Sequence, residues 1–416
     1  MSAGTARSSV ELSAETASDL PIRDRELRFL LACLRLRLAT PGPEPVPIPS
    51  AEIDWQRFTA WVERHGVTPL VHQALREAGE TIVVPALQQR LRDAAAANAR
   101  LVLLQVAEAR GIVERLARAG IRSLAIKGPV LATLAFDDPT ARVSRDIDLL
   151  IAPERVSEAD RLIAGAGYRR VDPSFELTAP QLVRYRRVRC QFGYRSRQNE
   201  LRIELHWRLT SNPRLLSFDD ASLWSRPDLV QVAGIEFATL PREELFIYLC
   251  VHGSAHVWFR LKWLADIAAF LRRMEGDQLQ RIGARSRALG VERPFLQALI
   301  LAHRLLAASV PEPFLAVAES DRVVTRMVRA AMRAIAWHDS PEEPVSTRWF
   351  NTWVSWQAYR LKPGWRYRWA EFNDQIAAPE DWARIPLPEP LAFLYFPLRP
   401  LSWLARKLRG AIAPRE

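Results

Sequence analysis

The residues that most constrain this chain are Asp146 and Asp148, two carboxylates one residue apart at the head of the apolar run Asp146-Ile147-Asp148-Leu149-Leu150-Ile151. A β-strand alternates its side chains between two faces, so both aspartates project on one side while Ile147, Leu149 and Ile151 enter a core. Like charges this close raise a carboxylate's pKa and cost stability unless a cation lies between them. Hard oxygen ligands on adjacent carboxylates suit Mg²⁺, which is commonly shared with substrate phosphates. The pair therefore predicts a metal.

Upstream, an apolar strand starting at Leu124 breaks at Lys127-Gly128-Pro129 and gives way to a short helical run over 130–136. A helix N-terminus offers unpaired N–H groups and a positive dipole end to an anion. Gly128 allows close approach of a ligand to the backbone, and Pro129 suits a first helical turn. A phosphate seat is expected here. Basic residues number 58, yet only Lys127, Lys262, Lys362 and Lys407 are lysines. In a chain that otherwise uses arginine, a lysine at the break points to a compact charge rather than a planar fork. Lys262 and Lys407 read as lying outside the site.

A third acid comes from 200–208, where alternation puts Leu201, Ile203, Leu205 and Trp207 on one face and Arg202, Glu204, His206 and Arg208 on the other. If this strand lies beside 146–151, Glu204 joins the aspartates and can bind a metal or accept a proton. Otherwise it pairs with Arg202 or His206 on a solvated face.

Ile126-Lys127-Gly128-Pro129, the R-x-S-R-D-I-D-L-L run from Arg142 to Leu150, and I-E-L-H-W from Ile203 to Trp207 together carry a family resemblance. The chain resembles the polymerase-β-type nucleotidyltransferase superfamily, and more narrowly its bacterial "nucleotidyltransferase family protein" group with a lysine-glycine turn. The same turn is similar to that of the abortive-infection nucleotidyltransferase toxins, whereas the wider superfamily has glycine-serine. The resemblance implies an α+β fold, a small mixed β-sheet core with helices packed on it, here flanked by N-terminal and C-terminal helical regions. It implies Asp146, Asp148 and Glu204 as the catalytic and metal-holding set for Mg²⁺, with Mn²⁺ as a substitute. Lys127, Gly128, Arg142, Ser144 and Arg145 are then the nucleotide-holding set. Arg142 and Arg145 either contact phosphates or form salt bridges to the acids they flank. The implied reaction moves an NMP from an NTP, ATP among them, to a peptide, protein, RNA or small-molecule acceptor, with release of pyrophosphate. The other reading is a non-catalytic nucleotide- or RNA-binding module on the same fold. Asparagine at either aspartate is expected to stop catalysis while stability holds or rises.

The 416 residues, 49% of them hydrophobic, suffice for two or three domains with a sizeable core. The net charge of +11 suits a polyanionic partner, whether nucleotide, RNA or a membrane surface. Cys33, Cys190 and Cys250 are far apart with no C-x-x-C pair, which excludes a disulfide scaffold and points to a reducing, cytoplasmic setting. No apolar run reaches the roughly 18 residues needed to span a bilayer. Residues 1–20 lack a signal-peptide core and are expected to be disordered.

The remaining organisation is a helical N-terminal region over 21–120, the transferase core over 121–240, a helical domain over 241–340 and an aromatic, arginine-rich tail over 341–416. Alternate prolines at 41–49 read as a spacer. Helices are expected to end at Gly66, to cover 67–78, to run from Pro85 to Ala119 and to cover 153–165, with a short strand at 167–171. Residues 184–208 interleave arginines with aromatics, which suits nucleic acid or, equally, the solvated face of antiparallel strands. A single helix is expected over 243–274, carrying His252 and His256 on one face, where they line a domain interface in preference to holding zinc. Further helices cover 294–308 and 321–337, followed by a boundary at 340–346. The tail, with Trp349, Trp353, Trp356, Trp365 and Trp369, suits peripheral membrane contact or docking on its own protein.

Overall fold

Strand alternation in this chain is resolved by burial on two different sides. The computed structural model describes residues 22–39, 53–78, 83–337, 344–376 and scattered positions between 379 and 398. The stretch 1–20 expected to be disordered, the 41–49 spacer, most of the 340–346 boundary and Lys407 lie outside the described residues.

In chain order, four helices come first: α1 Arg25–Leu38, α2 Trp55–His65, α3 Thr68–Ala78 and α4 Pro85–Arg118. Then follow β1 Ser123–Ala125, α5 Gly128–Phe136, β2 Asp146–Ile151, α6 Val156–Gly165, β3 Tyr168–Asp172, α7 Ala179–Val188, β4 Gln191–Ser196 and β5 Arg202–His206. After α8 Asp220–Ser225 comes the hairpin β6 Asp228–Val232 and β7 Ile235–Thr239. The C-terminal helices are α9 Arg242–Ala255, α10 Leu261–Leu271, α11 Gly276–Ala288, α12 Glu292–Leu306, α13 Glu312–Ser320, α14 Arg322–Ile335, α15 Pro344–Gln357 and α16 Trp365–Ile376. The protein is thus α+β, a small mixed sheet among helices. The expected helix ends at Gly66, whose φ of 65° makes it a left-handed cap.

The main sheet has the order β1-β2-β5-β4-β3, with β2 and β5 parallel at its centre and the other pairs antiparallel. Ile147, Leu149 and Ile151 of β2 and Ile203 and Leu205 of β5 pack with α4 and α6 in one apolar cluster. Leu124, Ile126 and Leu150 belong to the second cluster, built from α1, α2 and α3 together with α9, α10, α12 and α14. Helices from both ends of the chain therefore share one core against the opposite side of the sheet.

The helix expected over 243–274 is broken. α9 stops at Ala255, Val257 and Trp258 have φ of 50° and 54°, and α10 restarts at Leu261. The cause is steric: the buried Trp258 ring folds back over Gly253, where a Cβ would come within 2.4 Å of the indole. Across the break, the Leu261 amide donates to His65 Nδ1 at 3.2 Å, and His65 stacks on Trp61 with ring centroids 5.5 Å apart. Burial holds the His65 imidazole well below its usual pKa, consistent with a neutral ring accepting this bond. The break is thereby locked between the two helical regions.

Gly253→Ala forces the Trp258 ring out of its seat and is expected to lower stability by about 1–3 kcal/mol, read as a shift of the denaturant midpoint. An unchanged midpoint would show that the indole does not depend on the missing Cβ.

Candidate active site

The parallel register places Asp148 of β2 opposite Glu204 of β5, and Asp146 opposite Arg202. Asp148, Glu204 and His206 emerge on the sheet face that meets the helical core. The alternation that buries Ile203, Leu205 and Trp207 on the far side requires this. The loop entering β2 is tied from α4, as Asn98 Nδ2 donates to the Thr140 carbonyl at 2.9 Å and Gln105 Nε2 to that of Ser144 at 3.3 Å. Ser144 Oγ in turn donates to the Asp146 carbonyl at 3.0 Å.

Lys127 stands at the N-terminus of α5, directly after β1. Gly128 has φ +66°, and a Cβ there would lie 3.5 Å from Ser144 Oγ and 3.6 Å from the Asp146 carbonyl oxygen. Its requirement is therefore conformational first, because an L side chain is strained at this φ.

Lys127 Nζ donates to Asp148 Oδ1 at 3.0 Å, and His206 Nε2 lies 3.3 Å from the same oxygen and 3.4 Å from Glu204 Oε2. The Lys127, Asp148 and His206 side chains are 12%, 6% and 3% exposed, whereas Glu204 remains 31% exposed. Lys127 Nζ also sits 5.7 Å from the centroid of the buried Tyr248 ring. Burial alone would lift the Asp148 carboxyl, but Lys127 and His206 hold it well below the usual carboxylate range. The same pairing overrides burial in the cations: Asp148 raises Lys127, and hydrogen bonds to Asp148, Cys190 and Glu204 raise His206 well above its ordinary value.

Lys127 and His206 serve Asp148 directly, whereas at Asp146 the nearby Arg202 and Lys262 weigh less than burial and the two neighbouring acids. Burial first, then Glu204 and Asp148, push its carboxyl up. Asp148, Glu204 and His206 each offer one ligand atom, all within 4.8 Å of one another. Oxygen-rich ligands with an unmet negative charge fit a divalent cation. The expected metal set was Asp146, Asp148 and Glu204; this grouping has His206 in the place of Asp146.

Arg142, read as flanking the acids, is instead buried against α10, its Nε 3.0 and 2.9 Å from the two carboxylate oxygens of Asp266. Arg145 is exposed and Ser144 buried. Lys262, read as a bystander, donates to the Val143 carbonyl at 3.2 Å and is one of the cations acting on Asp146. Burial, with Arg142 next to it, brings its pKa down to about 7. His252 and His256 pack around Trp263 with ring centroids 5.4 and 5.2 Å away, and no metal-ligand group among the described residues includes them. Sequence reasoning put His206 on the polar face of its strand without assigning it a place in the site. Its position two residues after Glu204 was the available signal. Tyr248 and Lys262 reach the site only through tertiary packing.

The two aspartates should therefore not respond alike. Asp148→Asn leaves Lys127 buried without its counter-charge and is expected to cost about 3–5 kcal/mol. Asp146→Asn relieves repulsion and should leave stability unchanged or raised. Paired denaturant titrations check this, and equal losses at the two positions would contradict it. Lys262 supplies a pH signature. Its folded pKa of about 7 lies below the ordinary lysine value near 10.4, so the unfolded chain holds more protons between the two and stability rises with pH across that window. Lys262→Met should flatten this rise in a pH series of thermal melts.

Among the described residues no helix is long and apolar enough to cross a membrane. Comparison with known proteins finds no matching curated protein and no matching solved structure. It does find a family model, described as "Uncharacterised nucleotidyltransferase", over residues 51–307. That span takes in α2 through α12, including the sheet, the Lys127 turn and all three acids. The chain is therefore an enzyme of this nucleotidyltransferase family.

Proposed function

We propose that this enzyme transfers an NMP from an NTP to an acceptor with release of pyrophosphate, in a Mg²⁺-dependent reaction for which Mn²⁺ can substitute. The observation that carries the reading is the register of β2 and β5, which sets Glu204 beside Asp148 while Asp146 stays charge-frustrated next to both. Asp146, Asp148 and Glu204 would hold the metal, and His206 steadies Asp148 and Glu204 beside it. The ion, when bound, neutralises charge on the triphosphate and polarises the α-phosphate.

Lys127, with Gly128, Ser144 and Arg145, holds the triphosphate. Its ammonium is oriented by Asp148, so a cation is already positioned at the turn before nucleotide arrives. The acceptor oxygen attacks the α-phosphorus, the bond to the bridging oxygen breaks, and the electron pair leaves with pyrophosphate. Glu204, the more exposed of the paired acids, takes the acceptor's proton. Arg142 holds the entering loop to α10 through Asp266, a positioning role in place of the phosphate contact.

Incubating the protein with each α-labelled NTP, Mg²⁺ and a cell extract identifies the nucleotide and the acceptor class together. Label should move into one fraction, with stoichiometric pyrophosphate, and chelation should stop both. Glu204→Gln should lower kcat by about 10²–10⁴-fold while nucleotide affinity changes little; matching losses in both would make Glu204 a binding ligand instead. Lys127→Arg should impair nucleotide use nearly as much as Lys127→Ala, because the wider head cannot fit beside Asp148 and Tyr248. Wild-type turnover in both variants would remove the phosphate seat.

A further inference from the structure

Helix α16 is turned inside out relative to an ordinary surface helix. Tyr367, Glu371 and Asp374, at i, i+4 and i+7, point inward, with Tyr367 and Glu371 only 3% and 8% exposed. Trp365, Trp369 and Phe372, spaced the same way on the outer side, are 73%, 54% and 39% exposed. A surface helix normally buries its apolar stripe and solvates its acids. Here the acids are anchored, Glu371 accepting from Asn212 Nδ2 at 2.9 Å, in the loop just beyond β5. The aromatic side is left outward.

The surroundings of that outer face are cationic. Arg187, Arg214 and Arg366, against the single acid Asp374, line a cavity of about 500 Å³ beside Trp365 and Trp369, and Arg368 stands next to them. Among the described residues no ion pair engages these four arginines, and Arg366 lies over the Trp365 ring at 5.7 Å. Other arginines of the 184–208 stretch serve the protein itself: Arg208 binds the carbonyls of Arg186, Arg189 and Ser211, and Arg195 pairs with Glu200. The cations at this cavity are therefore a separate set.

We propose that α16 and the loop after β5 form a binding surface for single-stranded nucleic acid. Bases stack on Trp365 and Trp369, and backbone phosphates meet Arg187, Arg214, Arg366 and Arg368. Exposed aromatic faces with interleaved arginines provide the two elements that single-strand recognition uses, stacking and backbone charge. A single strand is required because only unpaired bases offer their faces to a side chain. Membrane docking fits less well, since the site is concave and lined by arginines around its aromatic rings. Helix α16, which carries both tryptophans, lies beyond residue 307, outside the span of the family match, and binding to it does not depend on the transferase chemistry.

The test uses the full chain and a fluorescein-labelled 20-nucleotide oligouridylate, read by anisotropy across a salt series. An equally long RNA duplex and phosphatidylglycerol vesicles are run beside it. Binding should weaken as salt rises, and Trp365→Ala with Trp369→Ala should weaken it by about tenfold or more. Arg187→Ala with Arg214→Ala should reduce the slope of log K against log salt by about 1.4, from roughly 0.7 per phosphate contact. Thermal melts confirm that these surface variants remain folded, and the arginine pair keeps the test independent of the tryptophans. Absence of oligouridylate binding, affinity unchanged in both double variants, equal affinity for the duplex, or uptake by vesicles alone would each overturn the proposal.

Discussion

The interaction on which the site depends is the buried contact of Asp148 with Lys127 and His206. A carboxylate at 6% exposure cannot stay ionised without compensation, and the two cations that supply it come from different elements: Lys127 from the turn into α5, His206 from the end of β5. The cluster ties the turn that follows β1 to β2 and β5 through side chains, where the ladder joins the three strands through the backbone. It also explains why one acid is satisfied and its neighbour two residues away is not. Asp146 has Glu204 and Asp148 as its strongest charged neighbours, so negative charge is concentrated on this side of the sheet, where the proposed metal would bind.

The sheet face bearing this cluster is closed by helices that come from both ends of the chain. Tyr248 of α9 covers Lys127, and Asp266 and Lys262 of α10 hold the Arg142 and Val143 segment that leads into β2. From the opposite side, α4 fixes the same loop through Asn98 and Gln105. Asp146 and Asp148 therefore sit on a strand whose approach is gripped on two sides, a rigid support of the kind that positioning demands. The break between α9 and α10 is part of this support. By ending α9 over Gly253 and restarting at Leu261 against His65, the chain redirects α10 so that Lys262 and Asp266 can reach the loop.

Arginine takes on unusually varied work in a chain with only four lysines. Arg142 is a buried ion-pair partner, and Arg155 and Arg208 satisfy loop and helix-end carbonyls. The planar fork with several donors makes these roles accessible where an ammonium could make fewer directed bonds. Two of the four lysines, Lys127 and Lys262, sit in or beside the site, where a compact head fits.

Much of the local chemistry was legible in the sequence because it follows from period and residue type. Alternation alone put Asp146 with Asp148, and Glu204 with His206, on their respective strand faces, and Gly66 marked a helix end by its left-handed preference. The Lys127-Gly128 break was visible as punctuation in an apolar run. Local pattern could not say that β2 and β5 pair in parallel, because pairing between strands some fifty residues apart is settled by how both faces of the sheet are covered. Nor could it show that Arg142 turns to Asp266, since no periodicity links residues 124 positions apart. The break at 256–260 was hidden because the apolar pattern runs through it, and it is seen only in the packing of Trp258 on Gly253 and of Leu261 on His65. Sequence thus determined which residues could be catalytic and which way each strand faced, whereas the tertiary structure decided which charges meet, because long-range electrostatic partners are chosen by burial and not by spacing.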